Sequence, residues 1–183
     1  MELGNGLRAG NFTKPVLAKA ILIRILFVFA MMLSIVADSA LPPVNMTAPD
    51  FALKTTTGEN LRISEYRSEV VLVNFWASWC RTCRSEIPLL RELADEYAGT
   101  DVHVLSVNID DDAEHVGHVI RDMKINYPVL LDDQHRVAKL YDLPKLPVTM
   151  LIDREGVLRF VHSGYKSGDE AFYRDELARL AAE

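Results

Sequence analysis

The sequence predicts an α/β fold, a mixed central sheet flanked by helices, and three observations lead there. Val70-Val71-Leu72-Val73-Asn74-Phe75-Trp76 is an almost continuous apolar run of strand length, the mark of a strand covered on both faces. Arg81 to Tyr97 then switches to helical spacing, and a second apolar run, Val102 to Ile109, follows it. Toward the C-terminus, Val148 to Ile152 and Val157 to His162 flank the turn Asp153-Arg154-Glu155-Gly156, which makes an antiparallel hairpin.

Taken in order, the first forty residues differ in kind from the rest. Arg8, Lys14, Lys19 and Arg24 precede an unbroken apolar stretch, Ile25 to Leu33, that resumes after Ser34 through Ala37. An apolar core of about a dozen residues, followed by the small residues of Ala37-Asp38-Ser39, reads as a cleaved export signal. Counted back through a snorkelling Arg24 to Val16, the same run is long enough for an uncleaved membrane anchor. No cysteine follows the run, so a lipid anchor on cysteine is excluded, and either reading places the body beyond the cytoplasmic membrane, in a periplasmic or other extracytoplasmic setting. Residues 41–47, with Pro42 and Pro43, read as an extended linker. The folded domain is expected over residues 48–183.

Phe51-Ala52-Leu53 and Leu61-Arg62-Ile63 flank Thr57-Gly58-Glu59-Asn60 and predict an N-terminal hairpin. After the strand to Ile109, acidic residues at Asp111 open a helix to about Lys124, and a strand follows at Tyr127 to Leu131. Gly168 to Ala182 is a final amphipathic helix. Composition agrees with one such domain: of 183 residues, 49% are hydrophobic and 25% charged. Net charge is −6, and the chain beyond residue 40 carries 16 basic and 24 acidic side chains, net −8. So acidic a body argues against nucleic-acid binding.

The chain has two cysteines, in Cys80-Arg81-Thr82-Cys83, between the first buried strand and its helix. Cys80 is expected at the helix N-terminus and exposed, where backbone N–H groups and the helix dipole favour a thiolate. Cys83 stands one turn deeper, within reach of a mixed disulfide on Cys80. Two cysteines cannot supply a second CxxC, His115 and His118 lie outside the usual finger spacing for completing a Cys2His2 zinc set, and a bridge across so short a loop stabilises a fold little, so the pair reads as redox-active.

Phe75-Trp76-Ala77-Ser78-Trp79-Cys80-Arg81-Thr82-Cys83, followed by Glu86-Ile87-Pro88, resembles the thioredoxin fold, in its TlpA and ResA type of extracytoplasmic thiol–disulfide oxidoreductase. The resemblance runs from about Ala48 to the C-terminus. It implies a thioredoxin-like fold with an N-terminal hairpin and a central inserted helix and strand, matched by Asp111 to Leu131. It implies Cys80 as attacking thiolate, with Arg81 adding positive charge beside it, and Cys83 as resolving thiol. It further implies a cis-proline at Pro147, whose neighbours Leu146 and Val148 offer backbone to a substrate strand beside Trp79. Glu86, three residues beyond Cys83, matches an active-site glutamate that handles protons for the dithiol. Its alternative is a solvated helix-surface carboxylate. Pro88 should kink the helix or interrupt its ladder.

The same resemblance implies exported proteins as substrates, such as apocytochrome c or metal-site proteins, a membrane thiol–disulfide electron donor, a monomer, and no cofactor or metal beyond the Cys80–Cys83 disulfide. Three departures stand out: Asn74 where general thioredoxins have a buried aspartate, Lys145 where a glycine is frequent, and Arg81-Thr82 between the cysteines. A peroxiredoxin-like peroxidase is an alternative, disfavoured because Ala77-Ser78-Trp79 lacks a threonine three residues before the cysteine. A copper-delivery protein on the same fold is another, disfavoured by the two-residue gap. His103, His135 and His162 are isolated and read as satisfied or surface histidines. His115 and His118 share one helix face, and Asp110-Asp111-Asp112 reads as helix capping.

Overall fold

The structure, a computed structural model, describes residues 42–183. The export signal or anchor expected over residues 1–40 lies outside the described residues, as does Leu41 of the linker. No helix among the described residues is long and apolar enough to cross a membrane.

The chain opens with β1 (Met46–Thr47), β2 (Ala52–Thr55), β3 (Asn60–Arg62) and a 3-10 turn (Ile63–Tyr66). The central part is β4 (Val70–Trp76), α1 (Arg81–Glu96), β5 (Val102–Asn108), α2 (Ala113–Asp122) and β6 (Val129–Leu131). It closes with α3 (Arg136–Leu140), β7 (Val148–Ile152), β8 (Val157–Ser163) and α4 (Glu170–Ala182). One sheet holds all eight strands in the order β1-β8-β7-β4-β5-β6-β2-β3.

Every residue of β4 is buried, because the sheet is covered on both sides. Alternation sorts them: Val71, Val73 and Phe75 join Phe51, Leu105, Met150 and Leu158 on one face, while Val70 and Leu72 meet Leu90 and Leu93 of α1 and Tyr173 and Leu177 of α4 on the other. Burying each such leucine contributes about 1.5–3 kcal/mol. β4 runs parallel to β5 from Val70 opposite Val102 to Trp76 opposite Asn108, and antiparallel to β7, with Phe75 opposite Val148. The cysteine loop after β4 and the proline before β7 therefore emerge at the same end of the sheet. The expected inserted helix and strand are α2 and β6; β6 extends β5 in parallel and receives the N-terminal hairpin through β2, Thr55 opposite Leu130.

Two local expectations are corrected, and one short helix was not expected. Met46–Thr47, read as linker, pairs with Val157 and Leu158 of β8. Ile63, read as strand, opens the 3-10 turn, and its backbone N–H donates to the Phe51 carbonyl at 3.1 Å. Pro88 lies inside α1, on its exposed side, where its missing N–H interrupts the ladder by the one bond to Arg84, as expected, and the helix continues to Glu96. The five-residue α3 was not expected. It starts because the buried Asp132 carboxylate accepts from the N–H groups of Arg136, Val137 and Ala138 at 2.9, 3.0 and 2.8 Å. In the β7–β8 turn Gly156 has φ 75°, and a Cβ there would fall on the Arg67 guanidinium.

Candidate active site

The site begins where β4 stops. Trp76 is buried, its indole N–H donating to Ser106 Oγ at 3.2 Å. The next residues are held from outside: Asp110 accepts from the Ser78 N–H at 2.8 Å and the Ser78 hydroxyl at 3.0 Å, and the Asn108 amide bonds the same carboxylate at 2.7 Å. Cys80 then caps α1 in an extended conformation, its Sγ accepting the Cys83 N–H at 3.1 Å. Cys80 and Cys83 are joined in a disulfide, with Cα atoms 5.3 Å apart. Cys80 is only 8% exposed, less than its terminal position predicts, because it packs in a cluster with Trp76, Ala77, Ile87 and Val116; Cys83 is 1% exposed. Cys80 is thus the more open sulfur of the two.

Trp79 is 70% exposed and forms one wall of a groove beside the disulfide. Leu146, Leu143, Ile109 and Ala138 supply its apolar surface, and Lys139 and Lys145 its cations. Leu146 also packs against the cluster that holds both cysteines. The Leu146–Pro147 peptide is cis, and Val148 starts β7 between Phe75 and Ser163. The structure thus brings Trp79 and Leu146 together along one groove.

Glu86 is not the solvated alternative. One turn beyond Cys83, it is fully buried, and three side chains from three elements donate to it: Asn74 of β4 at 3.0 Å to Oε2, Thr149 of β7 at 2.6 Å and Tyr173 of α4 at 2.8 Å, both to Oε1. Asn74 also bonds the Thr149 hydroxyl at 2.9 Å. Burial pushes the Glu86 carboxyl above its ordinary value, against the lowering effect of those donors. The hydroxyls of Thr149 and Tyr173 can turn from donor to acceptor, so this cage can hydrogen-bond the acid as well as the anion. A buried carboxyl with a raised proton affinity therefore lies one helical turn beyond Cys83.

The chain matches the AhpC/TSA family over residues 44–161. It is 35% identical over 121 residues to the thiol-disulfide oxidoreductase ResA of Geobacillus kaustophilus, covering 66% of this chain and 70% of that one. The chain belongs to the AhpC/TSA family, as a thiol–disulfide oxidoreductase of the ResA kind. ResA of Bacillus subtilis is 32% identical over 117 residues, 64% of this chain and 65% of its own. Among solved structures, a candidate thiol:disulfide interchange protein DsbE from Chlorobium tepidum aligns with a TM-score of 0.73 and 27% identity, over 76% of this chain and 99% of that one. The fold of this ResA-like oxidoreductase is thioredoxin-like.

Several partners of the site in this ResA-like chain escaped the sequence reading. Asp110 was read as capping, yet Asp112 caps α2 through the Glu114 N–H at 2.8 Å, while Asp110 braces the loop before Cys80. Thr149 left a signal, a hydroxyl inside the apolar run Val148 to Ile152. Tyr173 left none among the residues of its helix. Three histidines stand beside carboxylates: His103 at 2.9 Å from Glu69, His135 at 2.9 Å from Asp111 and His162 at 2.6 Å from Glu176. Of the shared-face pair, His115 lies 3.3 Å from Asp112 and His118 accepts from Arg121 at 2.8 Å. Among the described residues, no group of three or more His, Cys, Asp or Glu side chains is placed to hold a metal ion.

Proposed function

We propose that this oxidoreductase works outside the cytoplasmic membrane as a reductase, opening disulfides in particular exported proteins such as apocytochromes or metal-site proteins, and is recharged by a membrane thiol–disulfide donor. One observation supports the reading above the rest: a helix-capping disulfide backed, one turn deeper, by a buried carboxyl with a raised proton affinity.

Once the pair is reduced, the first turn of α1 and Arg81 favour a thiolate on Cys80. That thiolate attacks one sulfur of the substrate disulfide, forming a mixed disulfide and releasing one substrate thiolate. Glu86 takes the Cys83 proton, and the Cys83 thiolate attacks Cys80. The Cys80–Cys83 bond forms, the second substrate thiolate leaves, and two electrons have passed to the substrate. Trp79 supplies an apolar wall for the substrate chain, and Leu146, next to the cis Pro147, lies along the same groove with its backbone offered to a substrate strand.

Equilibration of the full-length protein with glutathione measures the Cys80–Cys83 potential. A value of about −270 mV or lower is expected, and one near about −120 mV would make the protein an oxidant and overturn the direction proposed. A Cys83→Ser variant is expected to accumulate the mixed disulfide on Cys80, whereas Cys80→Ser leaves no attacking group.

A further inference from the structure

Glu86 has no solvent contact, and Asn74, Thr149 and Tyr173 around it are buried as well. A proton accepted from Cys83 is therefore held among side chains that do not exchange with water. A titratable side chain, His162, lies between this cage and an open hollow at the surface. His162 of β8 stands opposite Thr149 in the β7–β8 register, and its ring meets that of Tyr173 edge-on at 4.7 Å between centroids. Its Nε2 lies 2.6 Å from Oε2 of Glu176, a carboxylate one turn along α4 from Tyr173 and 8% exposed. His162 also lines an open hollow of 420 Å³ with Ser163, Gly164, Tyr165, Lys166, Asp169 and Phe172, far more space than a water molecule needs.

We propose that His162, locked by Glu176, is a positioning residue for the dithiol reaction, whose charge governs whether Glu86 stands ready to take the Cys83 proton. This rests on reading Glu86 as the base for Cys83. With His162 protonated, the His162–Glu176 pair is neutral and the Glu86 anion faces no added negative charge. When His162 loses its proton, the positive charge that favours the Glu86 anion is gone and Glu176, one helical turn from the Tyr173 that bonds Glu86, is left negative, so the Glu86 acid form is favoured. The other groups facing this region are the phenols of Tyr127 and Tyr165, both sensitive to the Glu86 charge, with Lys166, Asp169 and Glu170 at the rim of the hollow. Tyr165 lines the same hollow, and of these groups His162 is the one whose ring meets Tyr173 of the cage.

The test follows the reduced full-length protein with 5,5′-dithiobis(2-nitrobenzoate), in which Cys80 attack releases one thionitrobenzoate and Cys83 resolution the second. The rate of the second release is expected to rise with pH as Glu86 ionises. In His162→Gln that rise should move up by about one pH unit, since the imidazolium charge that favours the Glu86 anion is gone and Glu176 is left as an unpaired negative charge. His162→Gln combined with Glu176→Gln removes that charge and should return the rise toward its wild-type position, which a merely structural role would not do. An unmoved pH profile in His162→Gln, with Glu86→Gln moving the rise up toward the range of an unassisted thiol, overturns the role of His162 alone; a rise that Glu86→Gln leaves in its wild-type position overturns the Glu86 reading beneath it. The wild type supplies a variant-free check by carbon NMR of Glu86: two inflections are expected, one coinciding with His162, and a single inflection counts against the coupling.

Discussion

Glu86 is a carboxyl kept away from water at the centre of a redox site, and its proton affinity is a statement about stability as well as chemistry. Its folded value lies above the ordinary carboxylate value, chiefly through burial. The fold therefore binds its proton more tightly than the unfolded chain does, so this group stabilises the protein at low pH, and that contribution is lost as pH rises through the folded value. Glu86→Gln keeps the shape and removes the titration. Urea unfolding from pH 4 to 8 is expected to show wild-type stability falling relative to the variant as pH rises; parallel curves would mean the carboxyl does not titrate in the fold. Much at this scale was legible beforehand, because Cys80, Cys83 and Glu86 lie on one short helical stretch where spacing alone sets who faces whom. Their partners were not: Thr149 and Tyr173 lie 63 and 87 residues from Glu86, and only the sheet and the last helix bring them there.

Periodicity found the elements long enough to have a period. β4, β5, β7, β8 and the helices α1, α2 and α4 were all expected near their observed bounds. What it missed was short: β1 with two residues, the 3-10 turn with four and α3 with five, none of which completes enough repeats to be recognised. α3 matters nonetheless, because Ala138 and Lys139 line the groove beside Trp79. Its start depends on Asp132, whose carboxylate holds three backbone N–H groups. Asp132→Ala is expected to cost about 1–2 kcal/mol in denaturant unfolding, with faster amide exchange confined to α3. Unchanged exchange at Val137 and Ala138 would show that the helix starts without its cap.

For the molecule as a whole, the redox bond and the fold are nearly independent. The loop it closes is short, with the two cysteines three residues apart, so reduction is expected to lower stability by at most about 2 kcal/mol, and the reduced protein should keep its far-UV circular dichroism and a single cooperative transition. Loss of cooperativity on reduction would mean that the core leans on the disulfide. That core is instead built on both faces of an eight-stranded sheet whose outermost members, β1 and β3, are only two and three residues long. Such edges offer a neighbouring chain hardly any ladder to extend. A thiol–disulfide oxidoreductase that bonds other chains through sulfur can thus do so, and let go again, without its own sheet becoming the seed of a shared aggregate.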